Sequence, residues 1–398
     1  MANLFRILFL AYIIVDESTS VSTDNTNLLA VVQIFRHGQR TPTSFYPNDK
    51  YANPRYWKGV ENGELTNEGK KQQYDLGKFT RKRYQGWLPT RYDKKDFYAQ
   101  TTDYERTQMS ALANIYGLYP AKNDQVWYSA TNWQPIPVHV ADPNVLAPFP
   151  PASCVGYYRA KANYLSSKES LAIDAKYFYV YEYLTKKIGA NITSYAQIHP
   201  IFDSLEVEQQ VGLKLPEWAT MVFPQPLKYL TAHFFNAASH TKKLQRLIVG
   251  SLIYEIINYF DTMSVNPKSS PKFQMYSAHD YTLSAVLNTL EAYQLPPYIE
   301  FASSIYIELR KDERGHYVNI WFKNDPDNME KIIIKGCTFN CPLETLKDLL
   351  NDVLVDVSTK EIECNTIIPF VSELAEAVFG KMIEHLERQN REATKFLP

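Results

Sequence analysis

Short apolar runs alternate with longer segments of helical periodicity along most of the chain. Residues 28–35 (LLAVVQIF) form a short, continuous run rich in apolar residues, with the β-branched Val31, Val32 and Ile34, which predicts a buried parallel strand. Residues 273–277 (FQMYS) predict a second buried strand, and residues 96–100 predict a shorter one. Residues 303–309 and 317–322 alternate apolar and polar positions around a turn at 312–315, which predicts a β-hairpin at the edge of the sheet.

Helical periodicity follows the predicted strands. A first helix is predicted from an N-cap at Thr66 to about Tyr84, with Leu76 and Phe79 on its buried face. The other helices are predicted in segments 101–115, 244–260 and 281–290. Residues 126–151 are apolar, aromatic and proline-rich, and predict a strand followed by an irregular connection. Strands that alternate with helices in this way indicate an α/β protein.

The amino-acid composition is that of a large globular protein. The chain has 398 residues and 45% hydrophobic content, enough for one large domain or for a domain with an insertion. A net charge of -1 gives no basic surface for nucleic acid, and 29 tyrosines with 20 phenylalanines argue against disorder.

The amino terminus has the pattern of a secretory signal peptide. Arg6 lies in an apolar stretch at 4–15, and a small polar run (Ser18, Thr19 and Ser20) follows, so residues 1–20 are predicted to be removed near Ser20. The alternative, a membrane anchor, is too short to span a bilayer. Residues 370–388 alternate apolar and charged positions at helical spacing, so a soluble, secreted, extracellular protein without a membrane anchor is expected.

Cysteine usage and one sequon fit this compartment. Four cysteines in a secreted chain predict two disulfides with three possible connectivities, and the short loop between Cys337 and Cys341 favours local pairing, leaving Cys154 with Cys364. A zinc site would be expected to show CxxC spacing, which is absent. The sequon at Asn191 predicts glycosylation.

The most informative stretch is the heptapeptide RHGQRTP at 36–42, at the carboxyl end of the first predicted strand, where ligands bind in open α/β sheets. Gly38 permits a tight turn and a close approach to a ligand. Residues 27–48 contain no carboxylate, so Arg36 and Arg40 lack a local partner and predict an anion, phosphate above all, beside His37. The alternative is a surface loop with solvated arginines.

Two further segments contain candidate active-site residues. Arg106 lies at a predicted helix start, where a cation is unfavourable unless an anion compensates it; alternatively it pairs with Asp103 or Glu105. His279 and Asp280 follow the strand at 273–277, which places a second histidine and a carboxylate at the end of a strand. Taken alone, this dipeptide favours a structural role.

The motif R-H-G-x-R-x-P resembles the signature of the histidine phosphatase superfamily, in the branch of the prostatic, lysosomal and insect venom acid phosphatases and the phytases. L-T-x-x-G at 65–69 and T-x-D-x-x-R-T-x-x-S-A at 101–111 also match that branch. The dipeptide His279-Asp280 is similar to the acid phosphatase form, whereas phytases have His-Ala-Glu. The resemblance extends over residues 28–380.

The resemblance implies a doubly wound, mostly parallel sheet with helices on both faces and an inserted, mainly helical cap domain. The cap is expected at 156–254, where Tyr, Lys and Ser are dense, and the catalytic α/β domain at 21–155 and 255–398. The same disulfide pairs are implied. Gln39 departs from the Asp of some relatives at a variable position, which affects local polarity.

The resemblance also implies a secreted acid phosphatase acting on small phosphomonoesters. His37 would attack phosphorus and form a phosphohistidine, with Asp280 as general acid. Arg36, Arg40, Arg106 and His279 would bind the phosphate, and no metal or cofactor is required. The sequence leaves the oligomeric state open between a monomer and a homodimer, and does not identify the physiological substrate.

Three alternatives stay open. One is a phosphoglycerate-type mutase, which the signal peptide and disulfides disfavour. A second treats His37, His279 and Asp280 as metal ligands, although the flanking arginines would repel a cation. The third is a secreted binding protein or allergen that has the fold without the chemistry. The remaining histidines are assigned to structure or solvent: His139, His199, His233, His240, His316 and His385.

Overall fold

The computed structural model describes residues 25–365. The predicted signal peptide, the helix expected at 370–388 and His385 lie outside this part. The strands are β1 (Leu28–Arg36), β2 (Phe97–Thr101), β3 (His139–Val140), β4 (Phe273–Ala278), β5 (Ser304–Asp312), β6 (Gly315–Lys323), β7 (Glu330–Ile332) and β8 (Cys341–Pro342). The α-helices are α1 (Asn67–Arg83), α2 (Glu105–Leu118), α3 (Val155–Leu165), α4 (Lys168–Ile188), α5 (His199–Gln210), α6 (Leu227–Ala237), α7 (Lys242–Ile248), α8 (Gly250–Val265), α9 (Asp280–Thr289), α10 (Leu343–Leu350) and α11 (Val357–Asn365).

All eight strands belong to one sheet with the order β3-β2-β4-β1-β5-β6-β7, and β8 pairs with β6. The strands β3, β2, β4 and β1 are parallel, whereas the pairings from β5 onwards are antiparallel. The predicted α/β class is therefore confirmed. The prediction that the β5–β6 hairpin lies at the edge of the sheet is wrong, because β7 and β8 pair with β6 and form that edge. Strands of three and two residues are too short to produce a periodic pattern.

Strand β1 is apolar at most positions because both of its faces are buried, and the buried Gln33 donates hydrogen bonds to the hydroxyls of Ser304 and Tyr306. Ala30, Val32 and Ile34 contribute to a core that also contains residues of the helices from α3 to α9. Val31 and Phe35 contribute to a second core on the opposite face, with residues of α1 and α2. Since successive side chains of a strand point to opposite faces, a strand between two helical layers carries apolar residues on both faces.

Several predicted boundaries shift. Helix α2 begins at Glu105, because Thr101 still belongs to β2. Segment 126–151 contains only the two-residue strand β3. The single helix predicted at 244–260 is two helices, α7 and α8, interrupted at Val249. Gly250 begins α8 in close contact with the chain near α10, since a Cβ at this position would lie 2.4 Å from the carbonyl oxygen of Val353.

The segment predicted to be a cap is helical, as residues 155–265 contain α3 to α8. Residue 254 lies inside α8, and one continuous apolar core joins these helices to β1. The division into two domains stays a prediction. Both expected disulfides are present, Cys154–Cys364 and Cys337–Cys341, and the first ties the start of α3 to α11. Within residues 25–365, no helix combines the length and the apolar character needed to cross a bilayer.

Candidate active site

Two neighbouring parallel strands bring the predicted site together. In the register of β1 and β4, Arg36 lies opposite Ala278, and the amide of His37 donates a hydrogen bond to the Ala278 carbonyl at 3.0 Å. The loops that follow therefore start side by side, and the rings of His37 and His279 lie 5.5 Å apart. Helix α1 packs on one face of the sheet and α9 on the other, so the loops diverge and leave a crevice, as expected for an α/β site.

Gly38 serves close packing within the protein. A Cβ on Gly38 would lie 2.2 Å from the Gly69 carbonyl oxygen, and a Cβ on Gly69 would lie 2.0 Å from the Gln39 carbonyl oxygen. The heptapeptide and the LTNEG segment thus contact each other backbone to backbone, which explains why both contain glycine. The amide of Gly38 donates to the Ser110 hydroxyl at 3.1 Å, so α2 also positions the loop.

Arg36 is fully buried and has partners that its local sequence does not show. Its guanidinium forms an ion pair with Asp280 at 2.9 Å and donates to the Ile299 carbonyl. The ring of Phe301 lies 3.9 Å from the guanidinium carbon. The sequence correctly indicates that Arg36 has no local partner, and the fold supplies Asp280 from a distant segment.

Arg40 is held in the same way by a distant residue. Both of its terminal nitrogens donate to the carboxylate of Asp203 on α5, at 2.8 and 3.0 Å. Such a two-point contact fixes the plane of the guanidinium group. A buried pair of this kind neutralises part of the charge, so the anion-attracting field of the loop is weaker than two isolated arginines would give.

Arg106 differs from Arg36 and Arg40, because it has no carboxylate partner within residues 25–365. Among the described residues no carboxylate lies within ion-pair distance of it, and its buried Nε has no hydrogen-bond partner. Its guanidinium packs on the ring of Tyr104 at 4.6 Å. Burial and the positive charge of Arg40 lower the pKa of Arg106 to about 10, so it remains charged in acid. The alternative pairing with Asp103 or Glu105 does not occur.

The hydrogen bond made by His37 decides which ring nitrogen is available. Its Nδ1 lies 2.9 Å from the carbonyl oxygen of Gly38. Because a carbonyl only accepts, Nδ1 must carry the proton, and Nε2 keeps its lone pair. Burial, followed by the charges of Arg106 and Arg36, holds the pKa of His37 well below 6.5. The imidazole therefore stays neutral, and nucleophilic at Nε2, in mildly acidic solution.

A chain of hydroxyl groups fixes His279. Its Nε2 lies 2.9 Å from the Thr102 hydroxyl, which lies 2.8 Å from the Thr107 hydroxyl. Thr107 donates to backbone carbonyls, so it accepts from Thr102, which in turn accepts from Nε2 of His279. This arrangement leaves Nδ1 of His279 for another partner. Sequence reasoning assigned no role to either threonine.

Asp280 begins α9, and its carboxylate accepts a hydrogen bond from the amide of Tyr281 at 2.9 Å. Burial raises the pKa of this carboxyl group, but the charges of Arg36, His199 and Arg40 outweigh burial and lower the pKa to about 2. Asp280 is thus ionised in the unliganded protein over the whole mildly acidic range.

Other contributors come from segments that sequence reasoning left aside. Asp203 of α5 and Phe301, before β5, hold the arginines. His199, at the start of α5, was assigned to structure or solvent. In fact it interacts electrostatically with Asp280 and Asp203, and its ring stacks on Phe234 at 4.9 Å. Only the three-dimensional fold brings these residues within reach of the heptapeptide.

The geometry also bears on the metal-site alternative. Residues 25–365 contain no group of three or more His, Cys, Asp or Glu side chains arranged to hold a metal ion. Around His37 and His279 the structure places three guanidinium groups instead, which attract an anion and repel a cation.

The sequence of this chain matches a known protein family. Residues 27–323 match the family model described as histidine phosphatase superfamily (branch 2). The chain belongs to this family. The match spans every site residue described above, from Arg36 to Asp280, and the family predicted from the motifs is confirmed.

Relatives within the family narrow the enzyme class. The chain is 31% identical over 363 residues to lysosomal acid phosphatase from Xenopus laevis, covering 89% of this chain and 82% of that protein. It is 32% identical over 351 residues to venom acid phosphatase from Apis mellifera, covering 86% of this chain and 88% of that protein. The enzyme class predicted from the motifs, a phosphoric monoester hydrolase, is confirmed by these relatives.

A solved structure supports the fold. The phytase from Citrobacter braakii superposes with a TM-score of 0.66 at 16% identity, covering 86% of this chain and 100% of that one. At this identity the similarity concerns the fold alone.

Proposed function

We propose that this chain is a secreted acid phosphatase that hydrolyses orthophosphoric monoesters through a phosphohistidine on His37. The observation that carries the proposal is the state of His37, which is neutral, has its lone pair on Nε2 and faces a group of cations. Attack by Nε2 on phosphorus would expel the alcohol, and water would then hydrolyse the phosphohistidine and release phosphate.

The three arginines would bind the phosphoryl oxygens. Arg36, Arg40 and Arg106 surround the space before His37, and among the described residues no carboxylate pairs with Arg106 to compete with the ligand. Burial and the charge of Arg106 hold the pKa of His279 well below 6.5, so its ring is neutral and its unprotonated Nδ1 would accept a hydrogen bond from a protonated phosphate oxygen. Each hydrogen bond to a charged group contributes about 1.5–3 kcal/mol, before desolvation costs are subtracted. Because charge in phosphoryl transfer spreads over the equatorial oxygens, these groups stabilise the transition state as well as the substrate.

The proton for the leaving group needs a source, since the pKa of Asp280 is about 2. A phosphate monoester has a second pKa of about 6, so below that pH the substrate binds as a monoanion that carries one proton. The bound phosphate also offsets the arginine charges that depress the pKa of Asp280, so the carboxylate can take this proton and pass it to the leaving oxygen. This route predicts a pH optimum on the acid side of neutrality.

The second candidate is a secreted binding protein or allergen on the same fold. A p-nitrophenyl phosphate assay with purified protein, at pH values on both sides of about 6, separates the two. Release that is faster on the acid side supports the phosphatase. Tight binding of vanadate without any release of p-nitrophenol would instead identify a binding protein.

We propose further that the helical segment 156–254 acts as a cap over the site. Asp203, which holds Arg40, and His199, which interacts with Asp280, both belong to it. The cap would thus position an arginine of the phosphate pocket and border the side from which the alcohol leaves.

Secretion and glycosylation lead to a first expected result. The mature protein should begin near Val21, appear in the culture medium, and lose mass when N-glycans are removed. Asn191 is exposed in the connection after α4, where a glycosyltransferase can reach it. Asn191→Gln should remove the mass shift and leave secretion intact. Retention in the membrane pellet after a carbonate wash would contradict secretion.

We also propose a homodimer, formed across the sheet edge at β3. Both residues of β3 are exposed, and the preceding loop presents an aromatic patch of Trp127, Tyr128 and Trp133, with Trp127 61% exposed. An exposed strand edge beside apolar side chains suits pairing with a second copy. Sedimentation velocity should show a dimer for the wild type and a monomer for Trp127→Ser. A monomeric wild type at micromolar concentration would reject this interface.

A further inference from the structure

Lys161 of α3 is a half-buried cation without an anionic partner. Within residues 25–365 its Nζ forms no hydrogen bond or ion pair and lies 5.7 Å from the centroid of the Phe234 ring. No described carboxylate lies within ion-pair distance, and burial lowers the pKa of Lys161 to about 8. A partly desolvated ammonium group is costly unless an anion compensates it. Lys161 still carries its charge in acid solution.

A row of rings connects Lys161 to Asp280. The centroid of the Phe234 ring lies 5.5 Å from that of Tyr281, the residue that follows Asp280 in α9. His199 stacks on Phe234 at 4.9 Å, and Phe149 approaches Tyr281 to 4.2 Å. We call these four side chains (Phe149, His199, Phe234 and Tyr281) the aromatic wall.

The aromatic wall leads outward from the site. Asp280 is 5% exposed and Tyr281 6%, whereas His199, Phe234 and Lys161 are half-buried and Phe149 is 40% exposed. If Asp280 gives its proton to the leaving oxygen, the alcohol must lie on the Asp280 side of the phosphate. His199 interacts electrostatically with Asp280, its ring stacks on Phe234, and Phe234 lies 5.7 Å from Nζ of Lys161, so this row of rings runs from the Asp280 side towards Lys161.

We propose that the aromatic wall and Lys161 form a leaving-group subsite for phosphate esters whose leaving group is planar and carries a second anionic group. The ring of the substrate would pack on the wall, and its anionic group would pair with Nζ of Lys161. The proposal rests on the proposed phosphatase function and adds a substrate class to it.

The test compares two esters that differ by one charge, phenyl phosphate and 4-carboxyphenyl phosphate, at about pH 5, where an aromatic carboxyl group is mostly ionised. The wild type should have the lower KM for the carboxylated ester. Lys161→Met should raise that KM about tenfold, the effect of losing one charge-assisted hydrogen bond, and change the KM for phenyl phosphate less than about twofold. Lys161→Arg should restore the preference, and kcat should stay unchanged throughout.

Lys168→Met, at an exposed position at the start of α4, is the matched control and should behave as wild type with both esters. Thermal unfolding midpoints report whether each variant folds, and Lys161→Gln replaces Lys161→Met if the latter does not. An equal change of KM for both esters, or no change for either, would overturn the subsite.

Binding measurements separate this proposal from the phosphatase function. Phenylphosphonate and 4-carboxyphenylphosphonate bind without turnover, so calorimetric titration gives the same comparison even if no phosphate is released. Weaker binding of only the carboxylated compound to Lys161→Met would support the subsite without any catalysis. Equal affinities of both compounds for the wild type would overturn it, whether or not the protein is a phosphatase.

Discussion

Replacing His37 by alanine should reduce turnover by roughly 10⁴-fold or more, the loss typical when a nucleophile is removed. The ring makes one hydrogen bond, from Nδ1 to the neighbouring carbonyl of Gly38, so its loss leaves the loop otherwise intact. The backbone contacts of the loop with Ala278 and Ser110 do not involve the imidazole. Phosphate release from p-nitrophenyl phosphate measures the loss, and acid-quenched labelling shows whether a phosphoenzyme still forms.

Arg106→Ala should give a different result. It should mainly weaken the binding of phosphate and vanadate, because Arg106 supplies charge and forms no bond to phosphorus. The control for His37→Ala is His316→Ala, which removes a partly buried histidine at the opposite end of the sheet, beside the β5–β6 turn. This variant should keep wild-type turnover. Labelled phosphate trapped on a residue other than His37 would refute the assignment of the nucleophile.

The sequence alone predicts the strand β1 and the chemistry at its end, for physical reasons that the structure makes clear. A strand buried on both faces leaves a continuous apolar run, and the loop after it stands out because it is charged. The second histidine follows β4 in the same way, and parallel pairing of β1 with β4 then brings the two loops together. The two loops that the sequence singles out are therefore the two that the sheet places side by side.

The partners of these residues could not be predicted, because they are distant in sequence. Asp203 is 163 positions from Arg40, and Phe301 is 265 positions from Arg36. Nothing in the sequence around Asp203 distinguishes it from a solvated carboxylate on a helix. Its role becomes visible only in the fold, where α5 places it against Arg40. The contacts of His199 could not be predicted for the same reason, since its neighbours come from α6 and α9.

The role of Gly38 shows that one glycine of a motif can serve two purposes. The sequence suggests a tight turn and a close approach to a ligand, and the structure adds a close approach to Gly69 of α1. Both explanations require the same residue, so the pattern could not separate them. A contact between two glycines in different motifs becomes visible only when both loops are placed.

Asp280→Asn should slow the hydrolysis of alkyl phosphates by about 10²–10⁴-fold, the contribution of general acid catalysis, and affect p-nitrophenyl phosphate much less. An alkoxide is a poor leaving group and needs a proton as its bond to phosphorus breaks. The nitrophenolate leaves without one. Steady-state kinetics with both esters at about pH 5, with thermal unfolding to verify the fold, measure the difference.

The charge change in this variant predicts a second effect. Asp280 pairs with Arg36 at 2.9 Å, so the neutral amide leaves the charge of Arg36 less compensated and should make inorganic phosphate a tighter competitive inhibitor. The pKa of Asp280 is about 2 in the unliganded protein, so the wild-type carboxylate opposes phosphate binding across the acid range. Tighter phosphate inhibition together with a selective loss on alkyl esters would identify Asp280 as the proton donor. Equal losses on alkyl and aryl esters would instead show that Asp280 acts only by holding Arg36, and would leave the proton to come directly from the substrate monoanion.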